Sequence, residues 1–296
     1  MNHHRSLTQP ALADLAGIPA RSRWTHHGGL RLHALDYGGD GVPVLILPGI
    51  TSPAVTMDFV ARALTGPVRP VVLDVRGRGL SDDGESYALE DYAADAEAVI
   101  EQLGLDRPIL LGHSMGARIA TVAAVRARVP LSGTVVVDPP MSGPGRGPYP
   151  TPLTAFSNQL QEARRGTDAD EVARSWPRWP RREQELRARW LSSCGDAAIT
   201  ATHEGFESED FFDWWPRIGT STPTTLLYGA DSPVVTAAGA AEAASALPAA
   251  RLIRVPDAGH MVFWDNPDTS LTLLRDVLGA PHSADEPVSV GKLPYD

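Results

Sequence analysis

One hexapeptide, Gly112-His113-Ser114-Met115-Gly116-Ala117, constrains the fold of this chain more than any other stretch. It follows an apolar run at 108–111, which predicts a buried strand, and precedes residues 118–125, which predict a helix. A Gly-x-Ser-x-Gly sequence in this setting is typical of a sharp turn that presents the serine hydroxyl above a sheet. Both glycines suit such a turn, because a Cβ there would collide with neighbouring backbone. The alternative is an ordinary loop in which Ser114 caps the helix.

Apolar runs and helical patterns alternate along the rest of the chain. Besides 108–111, buried strands are predicted at 42–48, 70–74, 133–138, 223–228 and 251–255, and a β-hairpin at 24–37. Helices are predicted at 51–64, 88–103, 236–247 and 266–278. This alternation favours an α/β fold with a mostly parallel sheet and helices on both faces.

Residues 139–216 interrupt the alternation. They begin with many Pro and Gly residues and continue with Arg, Glu, Trp and helical patches. We interpret them as a helical lid inserted before the penultimate core strand. The core then comprises residues 21–138 and 217–280, and the terminal arms are residues 1–20 and 281–296.

The composition limits which binding partners and which cellular compartment we expect for this chain. The net charge of −10 argues against nucleic acid or an anionic membrane as a partner, since both need a basic surface. We expect no signal peptide and no membrane span, because no apolar run approaches roughly 18 residues. The single cysteine, Cys194, excludes an internal disulfide and offers no metal-site spacing. We therefore predict a cytoplasmic protein that uses no metal or cofactor. A homo-oligomer is possible.

Five polar residues follow directly on predicted strands, namely Asp74, Ser114, Asp138, Asp231 and His260. Parallel sheets bind ligands at the carboxyl ends of their strands, so these side chains are expected at one edge. A serine becomes a nucleophile when a histidine takes its proton and an acid orients that histidine. The order Ser, acid, His fits this use.

His260 is the predicted base, because the other histidines lie in the tails, the hairpin, the lid or beside the serine. The acid stays open at this point: Asp138 and Asp231 follow neighbouring strands, and either could reach the imidazole. Backbone N–H groups of Met115, after the nucleophile, and Ile50, after the first core strand, are the predicted oxyanion donors.

Six segments resemble the N-formylmaleamate deformylases, which have the α/β-hydrolase fold. They are Leu-Pro-Gly-Ile-Thr-Ser-Pro-Ala at 47–54, Leu-Asp-Val-Arg-Gly-Arg-Gly-Leu-Ser at 73–81, Gly-His-Ser-Met-Gly-Ala-Arg at 112–118, Val-Asp-Pro-Pro-Met-Ser-Gly-Pro-Gly-Arg at 137–146, Arg-Ala-Arg-Trp-Leu-Ser-Ser-Cys at 187–194 and Ala-Gly-His-Met-Val-Phe-Trp-Asp at 258–265. The resemblance runs from about residue 30 to 278, and the lid segment at 187–194 is its most specific part.

The resemblance implies a serine amidohydrolase of nicotinate breakdown, which releases formate from N-formylmaleamate and leaves maleamate. It implies Asp138 as the acid, although this chain also has Asp231, for which the family has no equivalent. The implied substrate is a small anionic amide, and its carboxylate needs a cation. Arg146, just after the acid loop, is the predicted substrate-binding residue, with a solvated loop charge as the alternative.

Three other functions stay open from the sequence. The similar (E)-2-(acetamidomethylene)succinate hydrolases cleave an acyl enamide, and a general carboxylesterase would use the same triad. A ligand receptor on a hydrolase scaffold is the alternative that is not an enzyme.

Overall fold

The computed structural model describes residues 7–220 and 222–279. Within them one sheet of eight strands forms the centre of the fold. The strands are β1 (Arg21–His27), β2 (Leu30–Asp36), β3 (Val42–Leu47), β4 (Val68–Leu73), β5 (Ile109–His113), β6 (Gly133–Val137), β7 (Thr224–Gly229) and β8 (Arg251–Val255). Their spatial order is β1-β2-β4-β3-β5-β6-β7-β8. Only the pairs β1–β2 and β2–β4 are antiparallel, so the predicted mostly parallel sheet is confirmed.

Both faces of the sheet are buried, because successive strand residues point to opposite sides. On β3, Leu45 lies in the same apolar cluster as the helices at 89–102 and 115–126, whereas Ile46 lies in that of the helices at 58–64 and 267–279. The helices of the core and the amino-terminal arm are α1 (Gln9–Gly17), α2 (Asp58–Leu64), α3 (Leu89–Gln102), α4 (Met115–Arg126), α9 (Ala237–Ala246), α10 (Val262–Asp265) and α11 (Pro267–Gly279). The apolar runs of the sequence are therefore strands covered by helices on each side, as predicted.

The segment between β6 and β7 is helical, which confirms an insertion before the penultimate strand. It contains α5 (Leu153–Arg165), α6 (Ala169–Ser175), α7 (Arg181–Trp190) and α8 (Asp196–Ser208), with 3₁₀ turns at Leu191–Ser193, Phe211–Asp213 and Trp215–Ile218. Helix α7 packs against the 3₁₀ turn Ala54–Met57, and α5 packs against α8. The lid thus lies over the loop that follows β3. The limits 139–216 stay a prediction.

Residues 51–64 differ from the single helix that the sequence predicts. The chain is extended at Pro53, forms the 3₁₀ turn Ala54–Met57 and only then enters α2. The carboxylate of Asp74, at the end of β4, accepts the Ala54 N–H at 2.6 Å, which holds this turn in place. The region after β3 is therefore a fixed loop rather than a regular helical turn.

The amino-terminal arm is partly ordered by the lid. Within it, Ala11 of α1 is buried, and Asp14 accepts two hydrogen bonds from Arg189 of α7. Residues 1–6 and the predicted arm 281–296 lie outside the described residues. None of the described helices combines the length and apolarity that crossing a bilayer requires.

Candidate active site

Ser114 lies on a tight turn between β5 and α4. Its φ of 57° and ψ of −120° place it in a strained region for a residue with a side chain. A Cβ on Gly112 would lie 2.0 Å from the carbonyl oxygen of Gly116, and a Cβ on Gly116 would lie 1.8 Å from that of Leu47. Only glycine fits either position. Ser114 makes no capping hydrogen bond to α4, so the alternative of an ordinary capping serine is not what the structure shows.

Ser114, His260 and Asp138 form one hydrogen-bonded chain. The Oγ of Ser114 lies 2.9 Å from Nε2 of His260, and Nδ1 of His260 lies 2.7 Å from Oδ2 of Asp138. The carboxylate of Asp138 is fully buried, whereas the imidazole keeps 16% of its surface exposed. Since the three residues follow β5, β6 and β8, the sheet edge brings them together, as the sequence predicts. This geometry lets the imidazole accept the serine proton while its other nitrogen donates to the carboxylate.

The loop after β3 lies beside the serine. A Cβ on Gly49 would be 3.4 Å from the Cβ of Ser114. In the part of the chain that the structure describes, the N–H groups of Ile50 and Met115 donate to no protein acceptor. Two unpaired N–H groups next to a nucleophile are suited to a developing oxyanion. Arg78 contacts both of these residues. Its Nε donates to the Ile50 carbonyl at 3.0 Å, and its Nη2 lies 3.5 Å from the Met115 sulfur.

A family model matches this chain over residues 44–270, a span that includes the nucleophile turn, the acid and the histidine. Its description is the alpha/beta hydrolase family. The chain belongs to the alpha/beta hydrolase family. Both the predicted fold class and the resemblance drawn from the motifs are confirmed.

Two relatives of this hydrolase match nearly the whole chain. The N-formylmaleamate deformylase of Pseudomonas putida KT2440 is 38% identical over 255 residues, covering 86% of this chain and 94% of the relative. The 2-(acetamidomethylene)succinate hydrolase of Mesorhizobium japonicum is 29% identical over 283 residues, covering 90% and 99%. The crystal structure of the N-formylmaleamic acid deformylase of Pseudomonas putida S16 superposes with a TM-score of 0.81 at 36% identity, covering 86% of this chain and 100% of that one.

The two acids that the sequence left open differ in their surroundings. The Asp138 carboxylate accepts hydrogen bonds from the N–H of Gly229 at 3.1 Å and from the hydroxyl of Ser232 at 2.6 Å, besides that of the imidazole. Asp231 is exposed, and its backbone N–H donates to the Ala258 carbonyl at 2.9 Å. The hydrolase therefore holds His260 with Asp138, while Asp231 anchors the neighbouring loop through its backbone.

Sequence reasoning missed Ser232 and Tyr149. Ser232 is fixed in turn by accepting the N–H groups of Val234 and Val235, and an Asp-Ser-Pro turn is a signal for such a bond. The Tyr149 hydroxyl lies 3.4 Å from Nε2 of His260, and its ring packs 4.8 Å from that of Phe206. Burial raises the pKa of Tyr149, so its phenol stays a hydrogen-bond donor at neutral pH. The Pro- and Gly-rich sequence around Tyr149 carries no comparable signal.

The structure does not support Arg146 as a residue free to bind substrate. Its Nε donates to the Asp210 carboxylate at 3.0 and 3.1 Å, and its Nη1 and Nη2 donate to Glu242 at 2.9 and 2.7 Å. The guanidinium also lies over the ring of Phe212 at 4.3 Å. Two carboxylates therefore neutralise this cation, and Arg146 links the loop after β6, the end of the lid and α9. The substrate-binding role of Arg146 stays a prediction.

No metal site is apparent in residues 7–220 and 222–279, where no group of three or more His, Cys, Asp or Glu side chains could hold an ion. Besides Arg78, a second buried cation, Arg187 of the lid, lies near the site. The sequence placed Arg187 within a matching segment but gave it no role.

The buried imidazole of His113 makes the stability of this hydrolase depend on pH. Its Nε2 hydrogen-bonds the carbonyl of His260 at 2.9 Å, and burial together with the neighbouring His260 lowers the pKa of His113 to about 3. In the unfolded chain the same imidazole takes a proton near its ordinary pKa of about 6.5. Its stabilising contribution is therefore complete above about pH 6.5 and is lost as the pH falls toward 3.

We expect the wild type to lose about 2 kcal/mol of unfolding free energy between pH 7 and pH 5 through this one group. His113→Phe should be less stable at pH 7, since it lacks the hydrogen bond, but should show a smaller decline over that range. Urea unfolding of both proteins at pH 7, 6 and 5 measures the difference. The same decline in both proteins would contradict the neutral buried imidazole.

Proposed function

We propose that this hydrolase removes the acyl group from a small anionic amide, with N-formylmaleamate as substrate and formate and maleamate as products. The single observation that carries the proposal is the hydrogen-bonded chain Ser114–His260–Asp138. It occurs in a chain that is 38% identical to a deformylase over most of its length. Ser114 is then the nucleophile, His260 the base and Asp138 the acid that orients it.

The reaction proceeds in two halves. His260 takes the proton of Ser114 as its oxygen attacks the formyl carbon, and the N–H groups of Ile50 and Met115 stabilise the oxyanion. His260 then returns the proton to the amide nitrogen, the C–N bond breaks and maleamate leaves. A water molecule, deprotonated by His260, attacks the formyl-serine and releases formate.

The surroundings of the nucleophile support a small acyl group. Ser114 is 2% exposed, and the buried rings of Tyr149 and Phe206 lie on the lid side of the triad. A formyl group is the smallest acyl group, so it needs the least room beside these rings. A long acyl chain, as in a typical lipase substrate, would have to displace them.

A substrate panel tests this proposal. It compares N-formylmaleamate with N-acetylated analogues, with N-formyl amides that lack a carboxylate, with 2-(acetamidomethylene)succinate and with p-nitrophenyl acetate. We expect N-formylmaleamate to give the highest kcat/KM, with one formate released per molecule consumed and many turnovers per enzyme. Enzyme-coupled detection of formate and absorbance assays give the rates.

Other outcomes of the panel separate the alternatives. A preference for the acetamidomethylene compound supports the enamide hydrolase, which the 29% identical relative favours. A preference for the neutral ester supports a general carboxylesterase. Binding with at most one turnover supports a receptor. A place in nicotinate breakdown, a cytoplasmic location, a homo-oligomer and the absence of nucleic-acid or membrane partners stay predictions.

A further inference from the structure

Among the described residues, Arg187 of the lid helix α7 is a buried cation that has no carboxylate partner. It is 6% exposed, and no carboxylate in the described part of the chain lies within ion-pair distance of its guanidinium. Burial lowers the pKa of Arg187 to about 10, which still leaves it charged at neutral pH. A buried charge without a partner is costly for the folded protein.

Three other arginines among the described residues are buried, and they differ from Arg187. Arg118 lies 3.9 Å from the carboxylate of Glu209. Arg76 pairs with Asp95 at 2.6 Å. Arg78 has no carboxylate partner in the part of the chain that the structure describes. It donates instead to neutral oxygens, which are the carbonyls of Ile50, Arg76 and Ala198 and the hydroxyls of Tyr92 and Thr202. Arg187 has an oxygen partner on Nη1 and another on Nη2, so three of its five N–H donors find no acceptor among the described residues. Arg187 therefore keeps both charge and donors for a ligand.

The two oxygen partners place Arg187 at the wall of the candidate active site. Its Nη1 lies 3.3 Å from Oγ1 of Thr51, the residue that follows Ile50 in the oxyanion loop. Its Nη2 lies 2.8 Å from Oε1 of Gln159 on α5. One turn before Gln159, Phe156 stacks on Tyr149 with ring centres 6.4 Å apart, and Tyr149 contacts His260. The guanidinium thus lies between the oxyanion loop and the aromatic residues beside the triad.

Two indole rings complete the surroundings of this guanidinium. Its carbon lies 5.9 Å from the ring centre of Trp176 and 5.8 Å from that of Trp179. Trp179 stacks in turn on Trp264 of the core, which fixes the pair. Rings at this distance stabilise the cation and exclude water, so an anion bound there would meet a desolvated charge.

We propose that Arg187 binds the carboxylate of the substrate and thereby makes this hydrolase select small anionic amides. The inference rests on the proposed function and names the residue that recognises the substrate class. A guanidinium matches a carboxylate through two parallel N–H···O bonds, and the ligand supplies the negative charge that the protein does not. A neutral substrate gains nothing from this site.

The test compares Arg187→Met, which keeps an apolar stem between the indoles, with Arg187→Lys, which keeps the charge. Arg189→Gln is the matched control, since Arg189 lies on the same helix but pairs with Asp14 of α1. We expect Arg187→Met to lower kcat/KM for N-formylmaleamate roughly 10- to 100-fold, mainly through KM, as expected for a lost charge-assisted hydrogen bond. Its rate with p-nitrophenyl acetate should fall far less than its rate with N-formylmaleamate, because the ester has no carboxylate. Arg187→Lys should recover part of the loss, and Arg189→Gln should behave as wild type.

Direct binding of maleate, measured by isothermal titration calorimetry, makes this test independent of turnover. Wild type and Arg189→Gln should bind maleate, and Arg187→Met should bind it at least 10-fold more weakly. If N-formylmaleamate is not hydrolysed but maleate still binds through Arg187, the proposed function fails and the recognition site stands. Absence of maleate binding to the wild type, unchanged binding to Arg187→Met, or an equal loss of activity on neutral and anionic substrates overturns the role of Arg187.

Discussion

Ser114→Ala is expected to abolish turnover, lowering kcat by a factor on the order of 10⁶, as in other hydrolases that lose the nucleophile of such a triad. The reason is that no acyl-enzyme can form without the oxygen that lies 2.9 Å from Nε2 of His260. Formate release from N-formylmaleamate and ester hydrolysis measure the loss. Alanine meets the same backbone strain at φ 57° as serine, so the melting temperature should change little.

Ser270→Ala is a matched control for this substitution. Ser270 is fully buried like the nucleophile, but it lies in α11, where its hydroxyl faces the carbonyl of Pro267. We expect this variant to keep its activity. Calorimetric binding of maleate should persist in Ser114→Ala, because the proposed carboxylate site is separate from the nucleophile. Near wild-type rates in Ser114→Ala would refute the nucleophile.

Asp138→Asn is expected to lower kcat by about 10⁴-fold, the effect of removing the acid while keeping its shape. Nδ1 of His260 must carry a proton that it donates to Oδ2 of Asp138, so that Nε2 is free to accept the serine proton. An amide at this position can offer an N–H to Nδ1 instead, which favours the wrong tautomer. The hydroxyl of Ser232 and the N–H of Gly229 also need acceptors there, so an asparagine cannot satisfy all three donors.

Asp231→Asn is the matched control, because Asp231 is the other acid that chain order allows and its side chain is exposed. We expect its kcat to stay within about twofold of wild type, as for most surface substitutions away from a site. Steady-state kinetics with the same substrate compare the two variants. If Asp231→Asn lost more activity than Asp138→Asn, Asp231 rather than Asp138 would be the acid.

The lid shows where prediction from the sequence stops. Its helical character is visible from local patterns. The partners of its side chains are not visible. Arg146 is neutralised by Asp210 and Glu242, which lie 64 and 96 residues further along the chain, while Arg187 meets Thr51 from 136 residues away. No periodicity reports contacts at such separations, so the sequence could not show that Arg146 has two carboxylate partners.

The sequence by itself determined the parallel sheet, the nucleophile turn and the edge at which the site forms. These features depend on short-range chemistry: apolar strands, a turn that only Gly112 and Gly116 permit, and residues placed just after strands. The order of strands and polar residues left Asp138 and Asp231 open as the partner of His260, and only the family resemblance favoured Asp138. The tertiary structure shows Asp138 at His260, and it alone shows which arginines have carboxylate partners. Asp138 and Asp231 follow the adjacent strands β6 and β7, and their side-chain directions are set by the loops, including the positive φ of 50° at Asp138. These pairings join residues that are far apart along the chain. They form only when the lid packs onto the sheet.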